Sequence, residues 1–211
     1  MRRMRMAAGI LFAGLCLWGC GQGGAGAVTD TGEPRAVIEV NKDGSISETI
    51  QEGFEAEYYD EEELRNMVLS EVAEFNRSYQ PESIQIEKLE NEKGMITMEL
   101  KYSSARAYTA FNTDEYNEKT LFSGTVAEAY EAGYSLDVSM TDPQGEKGIG
   151  KEGLLSMGEA RILIADQPVR VKLPGKIRYI GEHVTPAGKD KADMQADENG
   201  EALGMYYVVY E

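Results

Sequence analysis

The side chains that could perform catalysis are few in this sequence. His183 is the only histidine, so a multi-histidine metal site is excluded and a catalytic triad would depend on this one imidazole. Ser156 lies in the run GLLSMG, which departs from the G-x-S-x-G pattern of a nucleophilic serine. The two cysteines, Cys16 and Cys20, both lie near the start of the chain. We therefore predict no catalytic residues, no metal site and no cofactor.

Two segments match known binding loops only in part. Gly145–Lys151 has the spacing of a phosphate-binding P-loop, but Glu152 stands where that loop needs Ser or Thr. A carboxylate there cannot replace the hydroxyl that binds Mg²⁺, and it would repel phosphate. Glu39–Gly44 resembles the first half of a calcium loop, but Ile50 falls where the bidentate Glu is needed. We interpret the first segment as a glycine-rich loop and the second as part of a β-hairpin.

Acidic residues dominate the charge of the chain. It has 37 Asp and Glu against 21 Lys and Arg, which gives a formal net charge of -16 at pH 7. A surface of this sign repels nucleic acid and argues against binding through phosphate neutralisation. The many carboxylates leave one enzymatic alternative open, because two of them at a suitable separation could hydrolyse a glycosidic bond in cell-wall glycan.

Three basic side chains late in the sequence form the most distinctive candidate site. We predict a hairpin over residues 169–180, turning at Pro174-Gly175. One face of this hairpin carries Arg170, Lys172 and Arg178, with Lys172 opposite Arg178. Like charges in opposed positions repel each other, so we expect these side chains to meet Asp or Glu of the same domain. The alternative is a basic patch that binds an anionic wall polymer or a partner protein.

The start of the chain has the three parts of a bacterial export signal. Arginines precede the apolar stretch Met6–Trp18, which is too short to span a bilayer as a helix. The stretch ends in LWGC, with Gly19 directly before Cys20. This pattern resembles the lipobox of bacterial lipoproteins, in which the cysteine receives diacylglycerol and becomes the first residue. The resemblance implies a lipid anchor at Cys20, whose acyl chains, such as palmitate, hold the protein on the membrane.

This signal predicts how the rest of the sequence is organised. Residues 1–19 are the predicted lipoprotein signal peptide, residues 20–35 the lipidated cysteine and a Gly-rich tether, and residues 36–211 a single extracytoplasmic α+β domain. Loss of residues 1–19, which contain three arginines and no acid, would change the formal charge from -16 to -19. The domain itself has no thiol, which excludes disulfides, thiolate nucleophiles and cysteine-bound zinc.

Periodicity within the domain predicts an α+β fold: a mainly antiparallel β-sheet with one long helix, about residues 60–79, and shorter helices packed on it. Asp60 is placed to cap the long helix. Before it, a loop at Lys42–Gly44 would bring Val40 opposite Ile46 in a hairpin. Further strands are expected at residues 84–89, 95–102, 161–165 and 205–210, and a mobile, mostly acidic excursion at residues 186–203.

Two parts of the domain also carry a family resemblance. The runs IEVNKDGSISETIQEGFEAEYYDEEELRNMVLSEVAEFN and VRVKLPGKIRYIGEHVT resemble uncharacterised clostridial lipoproteins, in which a hairpin, an acidic-capped helix and a late β-hairpin recur. The resemblance implies a place on the extracytoplasmic face of the cell membrane and transfers no chemistry. We predict a non-enzymatic binding or interaction domain, with the membrane and an envelope protein or cell-wall polymer as partners. Two alternatives stay open: hydrolysis of cell-wall glycan, and capture of a small ligand for a transporter. The sequence does not determine the oligomeric state.

Overall fold

A computed structural model describes residues 36–54, 60–114 and 118–211. The predicted signal peptide, Cys20 and the tether lie outside these residues. The helices of the described ranges are α1 Glu61–Ser78, α2 Ala105–Asn112, α3 Val126–Glu131 and α4 Lys151–Ser156. The strands are β1 Ala36–Val40, β2 Ile46–Gly53, β3 Ile84–Glu92, β4 Met95–Tyr102, β5 Leu121–Thr125, β6 Met140–Thr141, β7 Gly148–Ile149, β8 Arg161–Ala165, β9 Arg170–Lys172, β10 Ile177–Ile180, β11 Val184–Pro186, β12 Lys191–Met194 and β13 Tyr206–Tyr210.

The described strands form two sheets. The seven-stranded sheet has the order β11-β12-β9-β1-β2-β4-β3 and contains a parallel pair, β1 with β9. The six-stranded sheet has the order β5-β8-β13-β10-β6-β7. The predicted fold, one mainly antiparallel sheet with one long helix packed on it, is therefore wrong. Over the described residues the fold is mixed α/β with 39% strand and 23% helix, and no long helix dominates it. Helix α1 packs against β3, a strand at the edge of the seven-stranded sheet.

One core lies between the two sheets, and a second lies behind the six-stranded sheet. Ile38 of β1 meets Leu163 of β8 and Val208 of β13 in the first core. The opposite face of the six-stranded sheet packs Val209 against helix residues such as Val126 in the second core. β8 and β13 are thus buried on both faces, whereas the seven-stranded sheet turns one face towards solvent.

Helix side chains cover edge positions of both sheets. Asn76 of α1 donates its Nδ2–H to the Ile84 carbonyl oxygen at 2.8 Å and accepts the Ile84 N–H at 2.9 Å. Thr109 of α2 does the same in β5, where it accepts the Leu121 N–H at 3.0 Å and donates its hydroxyl to the Leu121 carbonyl oxygen at 3.2 Å. These side chains take the place of a neighbouring strand and block strand addition at these two points.

Two local predictions are confirmed. The first hairpin pairs Val40 with Ile46, and Gly44 supplies the positive φ of its turn at 84°. Helix α1 begins where expected, because Asp60 Oδ1 accepts the N–H groups of Glu62 at 2.8 Å and of Glu63 at 3.0 Å. Both features depend on neighbouring residues, which is why the sequence reveals them.

The late part of the chain differs from the prediction. β9 belongs to the seven-stranded sheet and β10 to the six-stranded sheet, so residues 169–180 do not form a hairpin. Instead, the turn between them carries the chain from one sheet to the other, and the Leu173 N–H donates to the Asp190 carbonyl oxygen at 2.8 Å. The acidic segment 186–203, predicted to be a mobile excursion, contains β12, which pairs with both β9 and β11 in the seven-stranded sheet.

Candidate functional site

The three basic residues of the predicted patch do not lie together. Arg170 and Lys172 are in β9 of the seven-stranded sheet, whereas Arg178 is in β10 of the six-stranded sheet. Lys172 lies in register between Glu39 of β1 and Lys191 of β12, and not opposite Arg178. The prediction assumed that strands adjacent in sequence pair with each other, which fails where the chain changes sheets.

Arg170 and Lys172 are held in ion pairs on the solvent-facing side of the seven-stranded sheet. Arg170 donates to Asp193 through Nε at 2.6 Å and through a terminal nitrogen at 2.8 Å. Lys172 Nζ lies 2.7 Å from Glu39 Oε1. The expectation that these cations meet acids of the same domain is confirmed for both. Both residues belong to a salt-bridged sheet face, and we no longer include them in a candidate binding patch.

A cleft of about 250 Å³ opens beside Arg178 on the six-stranded sheet. The turn between β6 and β7 supplies Asp142 and Lys147 to its lining. The start of β10 and the residue before it supply Lys176, Arg178 and Tyr179. The site thus combines one residue that the sequence analysis named, Arg178, with two lysines that it did not. We call it the cation-lined cleft.

Backbone pairing holds the turn against β10. Thr141 of β6 pairs with Ile180 of β10, which brings the following residues alongside Arg178. Asp142 then closes the turn, because its Oδ1 accepts the Glu146 N–H at 2.8 Å and its own N–H donates to the Lys147 carbonyl oxygen at 2.9 Å. Lys147 is therefore positioned by a short ordered turn of the kind that an Asp side chain stabilises.

Three cations and one acid, Asp142, line the cation-lined cleft. Lys147, Lys176 and Arg178 are all exposed. Arg178 is paired with the Glu211 carboxylate, which confirms the expected acidic partner. Within the ranges that the structure describes, neither lysine forms an ion pair. A protein of net charge -16 thus presents two cations here that are available to an anion.

Apart from the cleft, a cluster of hydrogen-bonded polar side chains lies in the core between the sheets. Glu48 of β2 is buried and accepts the hydroxyl groups of Tyr102 at 2.7 Å and Tyr108 at 3.3 Å. Asn112 donates to the Tyr102 hydroxyl at 3.5 Å, and Gln167 donates to the Tyr108 hydroxyl at 2.5 Å. Burial raises the pKa of the Glu48 carboxyl by more than the tyrosine hydroxyls lower it. Through these hydrogen bonds Glu48 connects β2 with β4 and α2. Because it is enclosed in the core, we assign it a structural role.

Comparison with known proteins assigns no family to the chain. No family model, curated protein or solved structure matches it. The site is therefore interpreted from its own chemistry. Among the described residues, no helix has the length and apolar character needed to cross a bilayer, and His, Cys, Asp and Glu form no group of three or more that could hold a metal ion.

The two partial motifs have other roles in the structure. Within the P-loop-like segment, Gly148–Ile149 forms β7 and pairs with β6, so no single loop wraps towards a helix. In the calcium-loop-like segment, Asp43 Oδ1 accepts the N–H of Ser45 at 3.0 Å and its hydroxyl at 2.6 Å. The second segment is a hairpin turn, as expected, whereas the first, predicted to be a glycine-rich loop, contains the end of a turn, strand β7 and the first residue of α4.

The serine and histidine considered for catalysis are used elsewhere. The Ser156 hydroxyl donates to the Gly153 carbonyl oxygen at 2.6 Å within α4. His183 is exposed in a left-handed conformation, with φ 59°, just before β11. Neither residue lines the cation-lined cleft.

Glu71 of α1 is a further acid that burial perturbs. It is half-buried, and its Oε2 finds no hydrogen-bond partner among the described residues. Burial, with a smaller effect of Glu74, raises the pKa of Glu71 from 4.5 to about 7. A carboxyl with a raised pKa in the folded state stabilises the fold below its unfolded pKa, and this contribution is lost as the pH rises through about 7.

We expect Glu71→Gln to raise the free energy of unfolding by about 1 kcal/mol near pH 8, a value reduced for the solvent screening of a partly exposed group. Near pH 4, little or no gain is expected, because the carboxyl is then largely protonated in both states. Urea unfolding at both pH values measures the difference. Glu159→Gln removes the same charge at an exposed turn position outside any helix, and equal gains in both variants would contradict the prediction.

Proposed function

We propose that this protein is a lipid-anchored domain on the outer face of the cell membrane that binds an anionic component of the cell envelope without catalysing a reaction. The observation that carries the proposal is the cation-lined cleft. There, Lys147, Lys176 and Arg178 surround a concave site in a protein of net charge -16. Such local complementarity selects an anionic ligand over neutral or cationic ones.

The overall negative charge is compatible with this binding mode. At physiological ionic strength, charges in solvent are screened beyond about 8 Å. An anion inside the cleft therefore interacts mainly with the side chains that line it. The acids that dominate the rest of the surface repel the same anion elsewhere, so the charge distribution favours this one position.

The lining of the cleft favours binding over glycan hydrolysis. Hydrolysis by carboxylates needs two acids on opposite sides of the bond that breaks. The described lining supplies one, Asp142, and its Oδ1 already accepts a backbone N–H of the turn. The buried Glu48 is enclosed in the core and cannot reach a polymer chain.

The lipid anchor rests on the sequence, in which Cys20 follows an export signal and precedes a Gly-rich tether. A Gly-rich sequence of about 15 residues has an average reach of about 20 Å, which would keep the cleft close to the membrane. We expect intact-mass measurement of membrane-extracted protein to show diacylglycerol on Cys20, and Cys20→Ala to leave the membrane fraction. An unmodified Cys20 in that extract would contradict the anchor.

Removal of the three cleft cations tests the binding proposal. The variant Lys147→Gln/Lys176→Gln/Arg178→Gln should lose affinity for soluble anionic wall polymer by about three- to hundredfold, because each exposed ion pair contributes about 0.2–1 kcal/mol. Titration calorimetry measures the affinity, and circular dichroism checks the fold. Added salt should weaken binding by the unmodified protein more than binding by the variant.

The seven-stranded sheet offers a matched control. The variant Arg170→Gln/Lys172→Gln/Lys191→Gln also removes three positive charges, but from the sheet face that carries β9 and β12. It should keep its affinity, because these three side chains do not line the cleft. The net charge changes equally in the two variants, so an effect of long-range electrostatics would appear in both. Equal losses in both variants, or no loss in the cleft variant, would overturn the proposed function.

A further inference from the structure

One cation of the cleft already has an internal carboxylate bound to it. Glu211 follows β13, and its backbone pairs with Lys176: the Lys176 N–H donates to the Glu211 carbonyl oxygen at 2.6 Å, and the Glu211 N–H donates to the Lys176 carbonyl oxygen at 3.0 Å. This pairing places the Glu211 side chain on the Arg178 guanidinium. The protein thus holds its own anion where an external anion would bind.

We infer that the ligand is a phosphate-bearing wall polymer, and that it binds by displacing the Glu211 carboxylate from Arg178. The inference rests on the proposed function of the cation-lined cleft. It adds the chemical class of the ligand and the rearrangement that accompanies binding.

A tethered carboxylate competes well with an isolated one. Since two backbone hydrogen bonds hold Glu211 in place, its side chain has an effective concentration of about millimolar or more at Arg178. An isolated carboxylate would make the same contact with Arg178 and would lose its own freedom of motion. A successful ligand must therefore make more contacts than Glu211 makes.

Phosphate meets this requirement better than carboxylate. In a phosphodiester the two non-bridging oxygens carry acceptor lone pairs around their P–O bonds, outside the plane of the two oxygens, so the group can bind Arg178 through two parallel hydrogen bonds and still accept from Lys147 or Lys176. The lone pairs of a carboxylate lie in the plane of the group, so after a bidentate contact with Arg178 its remaining acceptor positions point only within that plane. The two lysines without ion-pair partners in the described ranges are the additional contacts that phosphate can reach.

A polymer fits the charge of this protein better than a lipid headgroup does. The anionic surface of a bilayer repels this acidic protein, whose full sequence has a net charge of -16, because many charges face each other at once. A flexible polymer can place one phosphate group in the cleft and keep the rest of its chain away from the acidic surface.

The displacement is tested with Glu211→Gln in the full chain carrying Cys20→Ala, titrated with short poly(glycerol phosphate). Because the Arg178 and Glu211 side chains are 45% and 55% exposed, their ion pair is modest, and its removal should tighten binding about two- to fivefold. In an Arg178→Gln background, the same change should give no gain, since no ion pair is left to break. Polyglutamate of matched charge should bind more weakly, and vesicles of anionic lipid should not bind.

Each measurement tests one part of the inference. No gain from Glu211→Gln, or a gain that persists without Arg178, would overturn the displacement. Polyglutamate binding as tight as poly(glycerol phosphate) binding would overturn the phosphate assignment, and vesicle binding that depends on the cleft lysines would point to lipid. Full affinity in the triple cleft variant would remove the proposed function itself, so the two failures are distinguishable.

Discussion

Replacing Glu48 by Leu should lower the free energy of unfolding by about 3 kcal/mol, since each buried O–H donor left without an acceptor costs about 1–3 kcal/mol. The change removes the acceptor that Tyr102 and Tyr108 share. Their rings pack edge to face with centroids 5.0 Å apart, and both side chains are almost completely buried. Neither hydroxyl can therefore turn towards water. Urea unfolding measures the loss.

Two further variants distinguish the loss of hydrogen bonds from the change in side-chain size at position 48. Glu48→Gln keeps a hydrogen-bonding group of the same shape and should stay within about 1 kcal/mol of the unmodified protein. Glu48→Leu combined with Tyr102→Phe and Tyr108→Phe removes the carboxyl and both hydroxyls and leaves the Asn112 and Gln167 side chains, which are only partly buried. Replacing both partners of a buried hydrogen bond by apolar groups is close to neutral. This triple variant should recover most of the loss. A Glu48→Leu variant as stable as the unmodified protein would contradict the account.

The same carboxyl makes the stability depend on pH. Burial raises the pKa of Glu48 in the folded state above its ordinary value of 4.5. The folded protein thus binds this proton more tightly than the unfolded chain does. The resulting contribution is complete below the unfolded pKa and is lost as the pH rises through the folded pKa. The stability of the unmodified protein relative to Glu48→Gln should therefore fall with increasing pH.

The sequence was sufficient to predict those structural features that depend on residues close together in the chain. The loop length fixes the first hairpin register, so Val40 lies opposite Ile46. The Asp60 side chain needs only the N–H groups that follow it to begin α1. Similar reasoning places β8 at Arg161–Ala165, where the apolar run is short and uninterrupted.

Pairing between distant strands was not predictable in the same way. β9 has three residues and pairs in parallel with β1 at the other end of the domain. An alternating strand of this length fits either sheet, and only packing selects its partner. One signal was available, because the runs RILIA and YYVVY are apolar at every position except Arg161. Continuous apolar strands indicate burial on both faces, and therefore layers on both sides.

The candidate site was recognised in part. Arg178 was named, but Lys176, only two residues earlier, was assigned to a hairpin turn. Lys147 lies in the run that was weighed as a P-loop, and only the pairing of β6 with β10 reveals its position beside Arg178. Glu48 left a clearer signal, since an acid at the inward position between Ile46 and Ile50 conflicts with the apolar pattern of that strand.

Gly175→Ala should lower the free energy of unfolding by about 2 kcal/mol, because overpacking against rigid neighbours costs about 1–3 kcal/mol. Gly175 lies in the turn that carries the chain from β9 to β10. An added Cβ would lie 2.5 Å from the carbonyl carbon of Glu211 and would also overlap the carbonyl oxygen. These are backbone atoms paired with Lys176, so they can move only if those hydrogen bonds weaken.

Gly53→Ala is the matched control, since a Cβ added there meets no atom within 4 Å. It should be neutral or slightly stabilising, because Ala loses less backbone freedom on folding than Gly does. Chemical denaturation of both variants measures the contrast. If Gly175→Ala were as stable as Gly53→Ala, then Glu211 would not be packed against this turn. Its carboxylate would then have no fixed position on Arg178, and the displacement inferred for the cation-lined cleft would lose its basis.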